Sequence, residues 1–420
     1  MAVNETEEVR DQARAEARDD DIIVIVGAGL GGCKTAEGLR QGGFAGRLVL
    51  ISAESVPPYD RPPLSKQLLL GTFGVDDLAL LTRSAISELD LELRLGVRAI
   101  GLDDHTVLLD DGTRVAFRKL VIATGVSARR LSVVEPDIQH RVVTLRTLDD
   151  SLALRGLLVA DARVVIVGGG FIGAEVATAA RRMGCSVTVL EALDGPCVRV
   201  VGGDVSEELA GLYRSNGVDL RVNAAVTAIR RGEDDVAIVE VDGESLPADV
   251  VVVGVGTVTE LSWLPGSPDV LECGPDGAVV GMTDTLAVGD IAAWPDPWGS
   301  HRKIEHWERA GEHARVVSGT LLGENASVSQ AAPYFWSDQF GVKVQMCGWS
   351  ARADSDLALF DPSGRRLRAY LEGETVVAVL TMAAPALLAR ARPLVARRAT
   401  LSELVEALHL RHDHDVAIAT

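Results

Sequence analysis

The chain has 420 residues, of which 47% are hydrophobic and 24% charged, an ordinary composition for a globular protein of two to four domains. Its formal net charge of −19 argues against a general nucleic-acid-binding role, because that role requires a dense basic surface. The sequence has no apolar run of the ~18 residues that a membrane span needs, and its N-terminus lacks a hydrophobic signal core. We therefore expect a cytoplasmic protein without membrane or nucleic-acid association.

Five cysteines are scattered along the chain: Cys33, Cys185, Cys197, Cys273 and Cys347. No two of them have the spacing of a CxxC or CxxxxC redox pair, and none has the spacing of zinc ligands. A structural disulfide framework is not expected in a reducing compartment. The cysteine pattern therefore excludes a disulfide reductase.

Both ends of the chain are predicted to be tails. Residues 1–20 are predicted to be a disordered acidic tail, with a solvated helix as the alternative, because residues 1–21 hold eight acids and three arginines. At the other end, His409, His412 and His414 lie close to two aspartates. We expect these histidines to belong to a solvated tail, and we predict no metal site.

The first predicted elements form a strand–loop–helix–strand unit. An apolar strand at 22–26 leads into the sequence GAGLGG at 27–32, which we call the first glycine loop. A helix follows to about Arg40, and then a second strand at 47–51. An acid, Glu54, comes 27 residues after the first glycine of the loop.

The same unit occurs again later in the chain. A strand at 164–167 leads into the sequence GGGFIG at 168–173, the second glycine loop. A helix follows to about Met183, and then a strand at 186–190. Glu191 comes 23 residues after the first glycine of this loop. Such β-branched runs with intervening helices are typical of parallel sheets that are buried on both faces.

Each glycine loop matches the G-x-G-x-x-G pattern of dinucleotide-binding folds in the required context, after a strand and at the start of a helix. The first glycine makes the tight turn, the second lets the backbone approach a pyrophosphate, and the third permits close packing of helix and strand. The helix N-terminus then supplies free N–H groups and a partial positive charge. The two patterns predict that two dinucleotides bind.

Three further apolar strands end in small residues. They are 120–125 (LVIATG), 250–256 (VVVVGVG) and 286–290 (LAVGD), the last ending in Asp290. A single strand of this kind is common in proteins. Together with two glycine loops in this order, the three strands form the layout of a flavoprotein that binds two dinucleotides.

With these elements the sequence resembles the FAD-dependent, NAD(P)H-linked ferredoxin reductases of oxygenase systems, the family of putidaredoxin reductase and rubredoxin reductase. Its most specific motifs are PYDRPPLSK at 58–66, the segment 168–175, IEHW at 304–307 and PYFWSDQ at 333–339. The resemblance implies an α/β fold with two Rossmann-like domains, in the arrangement of glutathione reductase, and a C-terminal α+β domain. It places FAD at the first glycine loop and NAD(P)H at the second.

The domain division that follows has four parts. After the tail at 1–20, a split FAD-binding domain comprises 21–126 and 256–331. An NAD-binding domain, 127–255, is inserted in it, and 332–420 form the C-terminal domain.

The resemblance also implies which residues contact the cofactors. For FAD these are Gly27, Gly29, Leu30, Gly32, Glu54, Arg61, Lys66, Val97, Ala123, Thr124, Gly125, Arg129, Asp290, Glu305, His306 and Trp307. For NAD they are Gly168, Gly170, Phe171, Ile172, Gly173, Glu175, Glu191, Gly254, Val255 and Gly256.

The residues expected to act in electron transfer are Lys66, Glu175 and Trp336. By resemblance, Lys66 lies near the flavin N5 and pairs with Glu175, which fixes the electrostatics where hydride passes. The alternatives are a solvated loop lysine and a helix N-terminal acid that the dipole stabilises. Trp336 is expected to line the route by which electrons leave, although core packing is the default for any tryptophan.

Two acids are expected to select the nucleotides. Glu191 would accept both ribose hydroxyls of NADH and repel the 2′-phosphate of NADPH, so NADH is predicted as co-substrate. The family usually has an acid at the position of Ala53, so Glu54 is expected to take the adenosine ribose of FAD instead.

The segment 332–420 has ten basic and ten acidic residues, so it is neutral while the rest of the chain carries −19. Its arginines cluster at 365–368 and 397–398. They could steer an acidic iron–sulfur partner, or they could form ion pairs with local acids.

The expected activity is that of an NADH-dependent ferredoxin reductase, which passes hydride from NADH to FAD and single electrons to a [2Fe–2S] ferredoxin that serves an oxygenase such as a haem monooxygenase. One alternative is a flavin reductase of small molecules, of the quinone or monodehydroascorbate type. Another is a redox-sensing interaction protein similar to apoptosis-inducing factor.

Overall fold

The computed structural model describes residues 21–325 and 332–412, which fall into two compact units. The first unit comprises 21–60, 78–127 and 259–325, and the second comprises 61–77, 128–258 and 332–412. The acidic tail predicted at 1–20 and the end of the histidine cluster, including His414, lie outside the described residues. The expectation of a tail is wrong for His409, which ends the helix Leu401–Leu408, and for His412, which lies in the strand Arg411–His412 and pairs with Leu359.

The first unit is built on a five-stranded parallel sheet. Its strands, in spatial order, are Thr285–Ala287, Lys119–Ile122, Ile22–Val26, Arg47–Ile51 and Glu92–Arg94. Ile22–Val26 occupies the centre, and four of its five residues are buried because helices or other elements cover both faces. The helix Leu30–Gln41 follows this strand and packs against the helix Trp307–Leu321.

Two small sheets and three shorter helices complete the first unit. One sheet is antiparallel and consists of Ala99–Asp103, Thr106–Leu109 and Arg114–Ala116. The other consists of Leu271–Glu272, Ala292–Pro295 and His301–Lys303. The shorter helices are Arg83–Glu88 and the 3₁₀ turns Asp76–Leu78, which begins in the second unit, and Gly289–Ile291.

The second unit contains an equivalent five-stranded parallel sheet. Its strands, in spatial order, are Asp219–Arg221, Ser186–Leu190, Arg163–Val167, Val250–Val253 and Val142–Thr144. Arg163–Val167 takes the central place that Ile22–Val26 has in the first unit, and it too is followed by a helix, Phe171–Arg182. The strand–loop–helix repeat predicted from the sequence is therefore present in both units.

The same unit carries a six-stranded antiparallel sheet formed by the C-terminal segment. Its strands, in spatial order, are Tyr334–Gln339, Val342–Gly348, Thr375–Met382, Arg366–Glu372, Ser355–Phe360 and Arg411–His412. The helices Pro385–Ala396 and Leu401–Leu408 follow the sheet in the chain. This is the α+β segment predicted after the second dinucleotide-binding unit.

The other elements of the second unit are short. A three-stranded antiparallel sheet consists of Val226–Arg231, Ala237–Val241 and Glu244–Ala248. The remaining helices are Leu148–Leu157, Val198–Val201 and Gly203–Ser215, with 3₁₀ helices at Pro62–Ser65, Pro136–Arg141, Glu233–Asp235 and Ser350–Arg352. Two-residue strands, Ser127–Ala128 and Thr257–Val258, lie where the chain passes between the units.

Residues 61–77 differ from the predicted domain division, which put them in the FAD-binding domain. In the structure they belong to the second unit, because the Leu64 carbonyl accepts a hydrogen bond from Ser151 and the side chain of Lys66 pairs with Glu175. The C-terminal segment also joins the second unit rather than standing alone. The functional division into domains stays a prediction.

Among the residues that the structure describes, no helix combines the length and the apolar character that a membrane crossing requires.

Candidate functional site: two glycine loops and a buried carboxylate

The first glycine loop has no room for side chains at its first and last glycines. A Cβ on Gly27, whose φ is +115°, would lie 2.2 Å from the Ala123 carbonyl oxygen. A Cβ on Gly32 would lie 2.0 Å from the Gly27 carbonyl oxygen. A Cβ on Gly29, in contrast, would meet nothing within 4 Å. The middle glycine therefore faces open space, where a ligand can approach the backbone.

The second glycine loop repeats this geometry. A Cβ on Gly168, whose φ is +107°, would lie 2.4 Å from the Gly254 carbonyl oxygen, and one on Gly173 would lie 2.1 Å from the Gly168 carbonyl oxygen. The nearest atom to a Cβ on Gly170 would be 3.9 Å away. Ala123 and Gly254, which follow the strands Lys119–Ile122 and Val250–Val253, thus supply the backbone against which each loop turns, as these small residues predicted.

Each loop leads into a helix whose N-terminus is left for a ligand. The N-cap residues Gly29 and Gly170 make no side-chain capping hydrogen bond, and neither helix has an acid in its first turn. The first N–H groups of an α-helix have no intrahelical partner and carry a partial positive charge. Both termini therefore fit the pyrophosphate of a dinucleotide.

Glu191 lies beside the second loop, as predicted. Its Oε2 accepts a hydrogen bond from the Gly169 N–H at 2.7 Å, and its Oε1 accepts one from the Leu193 N–H at 2.9 Å. The side chain is half-buried, so the carboxylate is held at the loop with part of its surface open. This placement suits a contact with the ribose of a nucleotide in that loop.

Glu54 does not have the corresponding place in the first unit. In both units the first glycine of the loop donates its N–H to the last residue of the neighbouring strand, at 2.8 Å in each. By this match the counterpart of Glu191 is Ser52, which is buried, and Glu54 comes two residues later. Glu54 instead accepts a hydrogen bond from the Tyr59 hydroxyl at 2.5 Å. Its contact with the adenosine ribose of FAD stays a prediction.

Several other residues predicted to contact FAD lie in the first unit. Val97 donates its N–H to the Ser52 carbonyl at 3.0 Å, next to the strand that flanks the first loop. Thr124 is exposed, and Gly125 has a φ of +67°. Asp290 lies at the centre of the turn Gly289–Ile291 and is half-buried.

The IEHW motif leads into the helix Trp307–Leu321. His306 is its N-cap, and burial together with Arg309 lowers the pKa of His306 to about 4, so this imidazole is neutral at pH 7. Trp307 is 43% exposed, and its indole N–H donates to Asp60 Oδ1 at 2.6 Å. Glu305 pairs with Lys303 at 2.8 Å. Asp60, which sequence reasoning did not single out, therefore orients the tryptophan expected to contact the flavin.

Three of the predicted FAD contacts belong to the second unit. Arg61 donates to the Arg146 carbonyl at 2.5 Å. Arg129 donates its backbone N–H to the Gly256 carbonyl at 3.0 Å and its guanidinium to the Thr257 carbonyl at 3.1 Å. Lys66 makes the ion pair described next.

Glu175 accepts hydrogen bonds on both of its carboxylate oxygens. It is 4% exposed, and its Oε2 accepts from Lys66 Nζ at 2.7 Å and from the Ser65 hydroxyl at 2.5 Å. Its Oε1 accepts from the Ser337 hydroxyl at 2.7 Å. A buried charge is tolerated only when it is paired and hydrogen-bonded, and both conditions are met. The predicted ion pair is present, while the two serines were missed because nothing local in the sequence marks them.

The strand Tyr334–Gln339 places Ser337 and Trp336 on opposite faces, since side chains alternate along a strand. On one face the Phe335 ring meets Phe171 with centroids 4.7 Å apart, so this face lies against the helix of the second loop. On the other face Trp336 stacks with Tyr334 at 6.0 Å. Trp336 is half-buried. Its role in electron exit stays a prediction.

Four arginines of the C-terminal clusters form ion pairs within the second unit. The pairs are Arg365 with Asp361, Arg366 with Glu208, Arg368 with Asp204 and Asp356, and Arg397 with Glu403. Of the two interpretations of these arginines, the structure favours internal pairing over a free docking patch.

The cysteines do not provide a thiol site. None of the five forms a disulfide. Burial, with nearby acids, raises the pKa values of Cys33, Cys197 and Cys273 to about 12. A thiolate is the reactive form of cysteine, so these three are unsuited to redox chemistry.

Comparison with known proteins agrees with this geometry. Residues 21–314 match the pyridine nucleotide-disulphide oxidoreductase family, and residues 334–409 match the reductase C-terminal family. The ferredoxin–NAD(+) reductase component of the p-cumate 2,3-dioxygenase system of Pseudomonas putida is 40% identical, over 78% of this chain and 81% of its own. Putidaredoxin reductase of Pseudomonas putida is 34% identical, over 87% of this chain and 89% of its own.

A solved structure shows the same fold. The crystal structure of the covalent putidaredoxin reductase–putidaredoxin complex superimposes with a TM-score of 0.86 at 31% identity, over 93% of this chain and 99% of the other. The fold class and the family predicted from the sequence are confirmed. The chain belongs to the pyridine nucleotide-disulphide oxidoreductase family, among the ferredoxin–NAD(+) reductases of oxygenase systems, and it is an FAD-dependent oxidoreductase.

Proposed function

We propose that the protein is an NADH-dependent ferredoxin reductase, which takes two electrons from NADH as hydride and delivers them singly to a [2Fe–2S] ferredoxin of an oxygenase system. The observation that carries this proposal is the pair of equivalent glycine loops, each opening an uncapped helix, in a chain whose cysteines form no redox pair. The names of the relatives support the choice of ferredoxin as acceptor.

In this proposal the first unit holds FAD and the second holds NADH. FAD, when bound, supplies the chemistry that joins a hydride donor to a one-electron acceptor. Gly29 and Gly170 let the backbone approach the two pyrophosphates, and Asp290 and Glu191 bind sugar hydroxyls. The Lys66–Glu175 pair keeps a fixed, overall neutral arrangement of charge beside the second glycine loop, because both side chains are held by short hydrogen bonds.

We also propose a cytoplasmic location, where NADH is regenerated and thiols stay reduced. The five cysteines without a disulfide support this placement.

The test of the proposal is electron transfer from NADH to cytochrome c with and without a [2Fe–2S] ferredoxin, using a panel that includes putidaredoxin. The purified chain is expected to be yellow, to bleach anaerobically with NADH and to reduce cytochrome c only when a ferredoxin is added. Fast quinone reduction without any response to ferredoxin would make it a small-molecule reductase. Flavin bleaching without electron delivery to any acceptor would favour a redox-sensing binding protein.

A further inference from the structure

A histidine outside every predicted motif contacts the turn that carries Asp290. His313 lies in the helix Trp307–Leu321 and is 2% exposed. Its Nδ1 accepts a hydrogen bond from the N–H of Gly289, the residue before Asp290, at 3.3 Å. Gly289 has a φ of +76°, a conformation that glycine adopts easily but that nothing in its own side chain enforces. The Ala292 N–H donates to the Gly289 carbonyl and closes the turn, and the contact with His313 adds a side-chain hydrogen bond at its first residue.

The hydrogen bond determines which nitrogen of His313 carries the proton. Only an unprotonated ring nitrogen accepts, so the neutral ring has its hydrogen on Nε2. Burial, with Arg309 nearby, lowers the pKa of His313 to about 3, and the ring is neutral at pH 7. Nε2 is buried and has no hydrogen-bond partner among the described residues. A buried N–H without a hydrogen-bond partner is unfavourable, so Nε2 gains nothing from this orientation of the ring. The hydrogen bond from the Gly289 N–H to Nδ1 is what the orientation provides.

The ring is held in that orientation by Trp294. The two rings are stacked, with centroids 4.1 Å apart and an interplanar angle of 8°. The indole N–H of Trp294 donates to the Ala287 carbonyl at 3.2 Å, and Ala287 ends the last strand of the parallel sheet before the turn. The sheet, the tryptophan and the histidine thus form a continuous support for the Gly289 N–H.

We propose that His313 is a positioning residue for FAD: through Nδ1 it fixes the turn Gly289–Ile291 so that Asp290 is presented to the flavin nucleotide. This inference rests on the FAD site of the proposed function and adds to it a residue that acts through Asp290. It predicts that the hydrogen-bond acceptor at position 313, and not the aromatic ring, sets the affinity for FAD.

Two substitutions separate the acceptor from the ring. His313→Phe keeps a ring that can stack on Trp294 but removes the acceptor. His313→Asn gives up the stacking but places an amide oxygen near the position of Nδ1. The full-length chain is stripped of FAD and titrated with FAD, following the quenching of flavin fluorescence. The dissociation constant is expected to rise about tenfold in the Phe variant, as for the loss of a buried hydrogen bond, and to stay within about threefold of wild type in the Asn variant.

The matched control is Ser318→Ala, in the same helix. The Ser318 side chain is also buried, and its hydroxyl donates to the Arg315 carbonyl at 3.0 Å, away from the turn. This variant is expected to bind FAD as tightly as wild type. If the Phe variant does not fold, as judged by circular dichroism, His313→Leu replaces it.

Wild-type affinity in the Phe variant, or equal losses in the Phe and Asn variants, would overturn the proposal for His313. A wild-type chain that does not bind FAD at all would overturn the proposed function itself. Thermal melting of the stripped chains adds a readout that is independent of flavin. If His313 only stabilised the fold, the FAD affinity of the Phe, Asn and Ser318→Ala variants would follow their melting temperatures, whether or not the acceptor at position 313 is kept, and this too would overturn the proposal.

Discussion

Ser337 donates its hydroxyl to Glu175 Oε1 at 2.7 Å, although the two residues are 162 positions apart in the sequence. This bond joins the C-terminal sheet to the helix of the second glycine loop, within one compact unit. It also completes the set of donors around a carboxylate that is almost fully buried.

Ser337→Ala is expected to lower the free energy of unfolding by about 1–3 kcal/mol, because Glu175 Oε1 stays buried and loses its donor. Ser337→Thr, which keeps the hydroxyl, is expected to recover most of that loss. Calorimetric melting of the FAD-stripped chain measures the difference. Ser355→Ala is the control, since this serine of the same sheet is exposed and its hydroxyl donates to the adjacent Asp354 at 2.9 Å. Equal melting temperatures for the two alanine variants would contradict the expectation.

Lys66→Met is expected to slow the bleaching of flavin by saturating NADH at least tenfold while changing the NADH dissociation constant less than threefold. It is also expected to destabilise the chain by about 3 kcal/mol, because an unpaired buried carboxylate is left behind. Adding Glu175→Gln removes that charge, so the double variant should regain stability but not the rate.

The control for this pair is Lys343→Met, which breaks an exposed pair with Asp338 at 3.8 Å and should leave both quantities unchanged. Stopped-flow absorbance and chemical denaturation give the rate and the stability. A wild-type bleaching rate in Lys66→Met would show that the lysine has only a structural role.

Wild-type enzyme is expected to prefer NADH to NADPH at least tenfold in kcat/KM. Like charges ~4 Å apart repel by ~1 kcal/mol in water and ~4 kcal/mol at an effective dielectric of 20, so tenfold is the lower end. Glu191→Gln can still accept from the Gly169 N–H, and it should bring the two cofactors towards parity without loss of the loop contact. Asp194→Asn changes an exposed acid three residues on and should keep the preference. Steady-state kinetics with both cofactors measures the preference. The same preference for NADH in Glu191→Gln as in wild type would contradict this expectation.

The free energy of unfolding is expected to fall on mild acidification because His306 and His313 both have lowered pKa values in the folded chain. The pKa of His313 is about 3 in the folded chain against an ordinary value of 6.5, so the unfolded chain takes up the proton first. The contribution is complete above pH 6.5, decreases as the pH falls below 6.5 and is lost by about pH 3, with a slope of at most about 1.4 kcal/mol per pH unit. Chemical denaturation of the stripped chain from pH 7 to pH 5 should show a smaller slope for His313→Asn. An identical slope in that variant would contradict the assignment.

The parallel sheets and their glycine loops could be predicted from the sequence because their signals are local. The central strand of the first unit was predicted at 22–26 and is Ile22–Val26 in the structure. The first glycine loop follows this strand directly, so steric contacts among a few neighbouring residues determine the turn. The pair of Lys66 and Glu175 could be predicted only through the resemblance, since no periodicity relates positions 109 apart.

The contacts that were missed are long-range ones between ordinary residue types. A serine in a strand carries no signal that it faces a carboxylate, and His313 lies in a helix whose pattern predicts only a buried face. The arginines of the C-terminal segment show the same limit. The composition of the segment shows how many arginines it has but not their ion-pair partners. Glu208, which pairs with Arg366, lies in the helix Gly203–Ser215, far back in the chain.

The strand Tyr334–Gln339 constrains how this enzyme can be recombined with its relatives. Exchanging C-terminal domains is an obvious route to a reductase with a new redox partner, but here the graft would replace the donor to Glu175 and the ring that meets Phe171. A workable chimera therefore keeps the native strand and begins the foreign sequence after Phe340, whose N–H is itself bound to Thr178 at 2.9 Å.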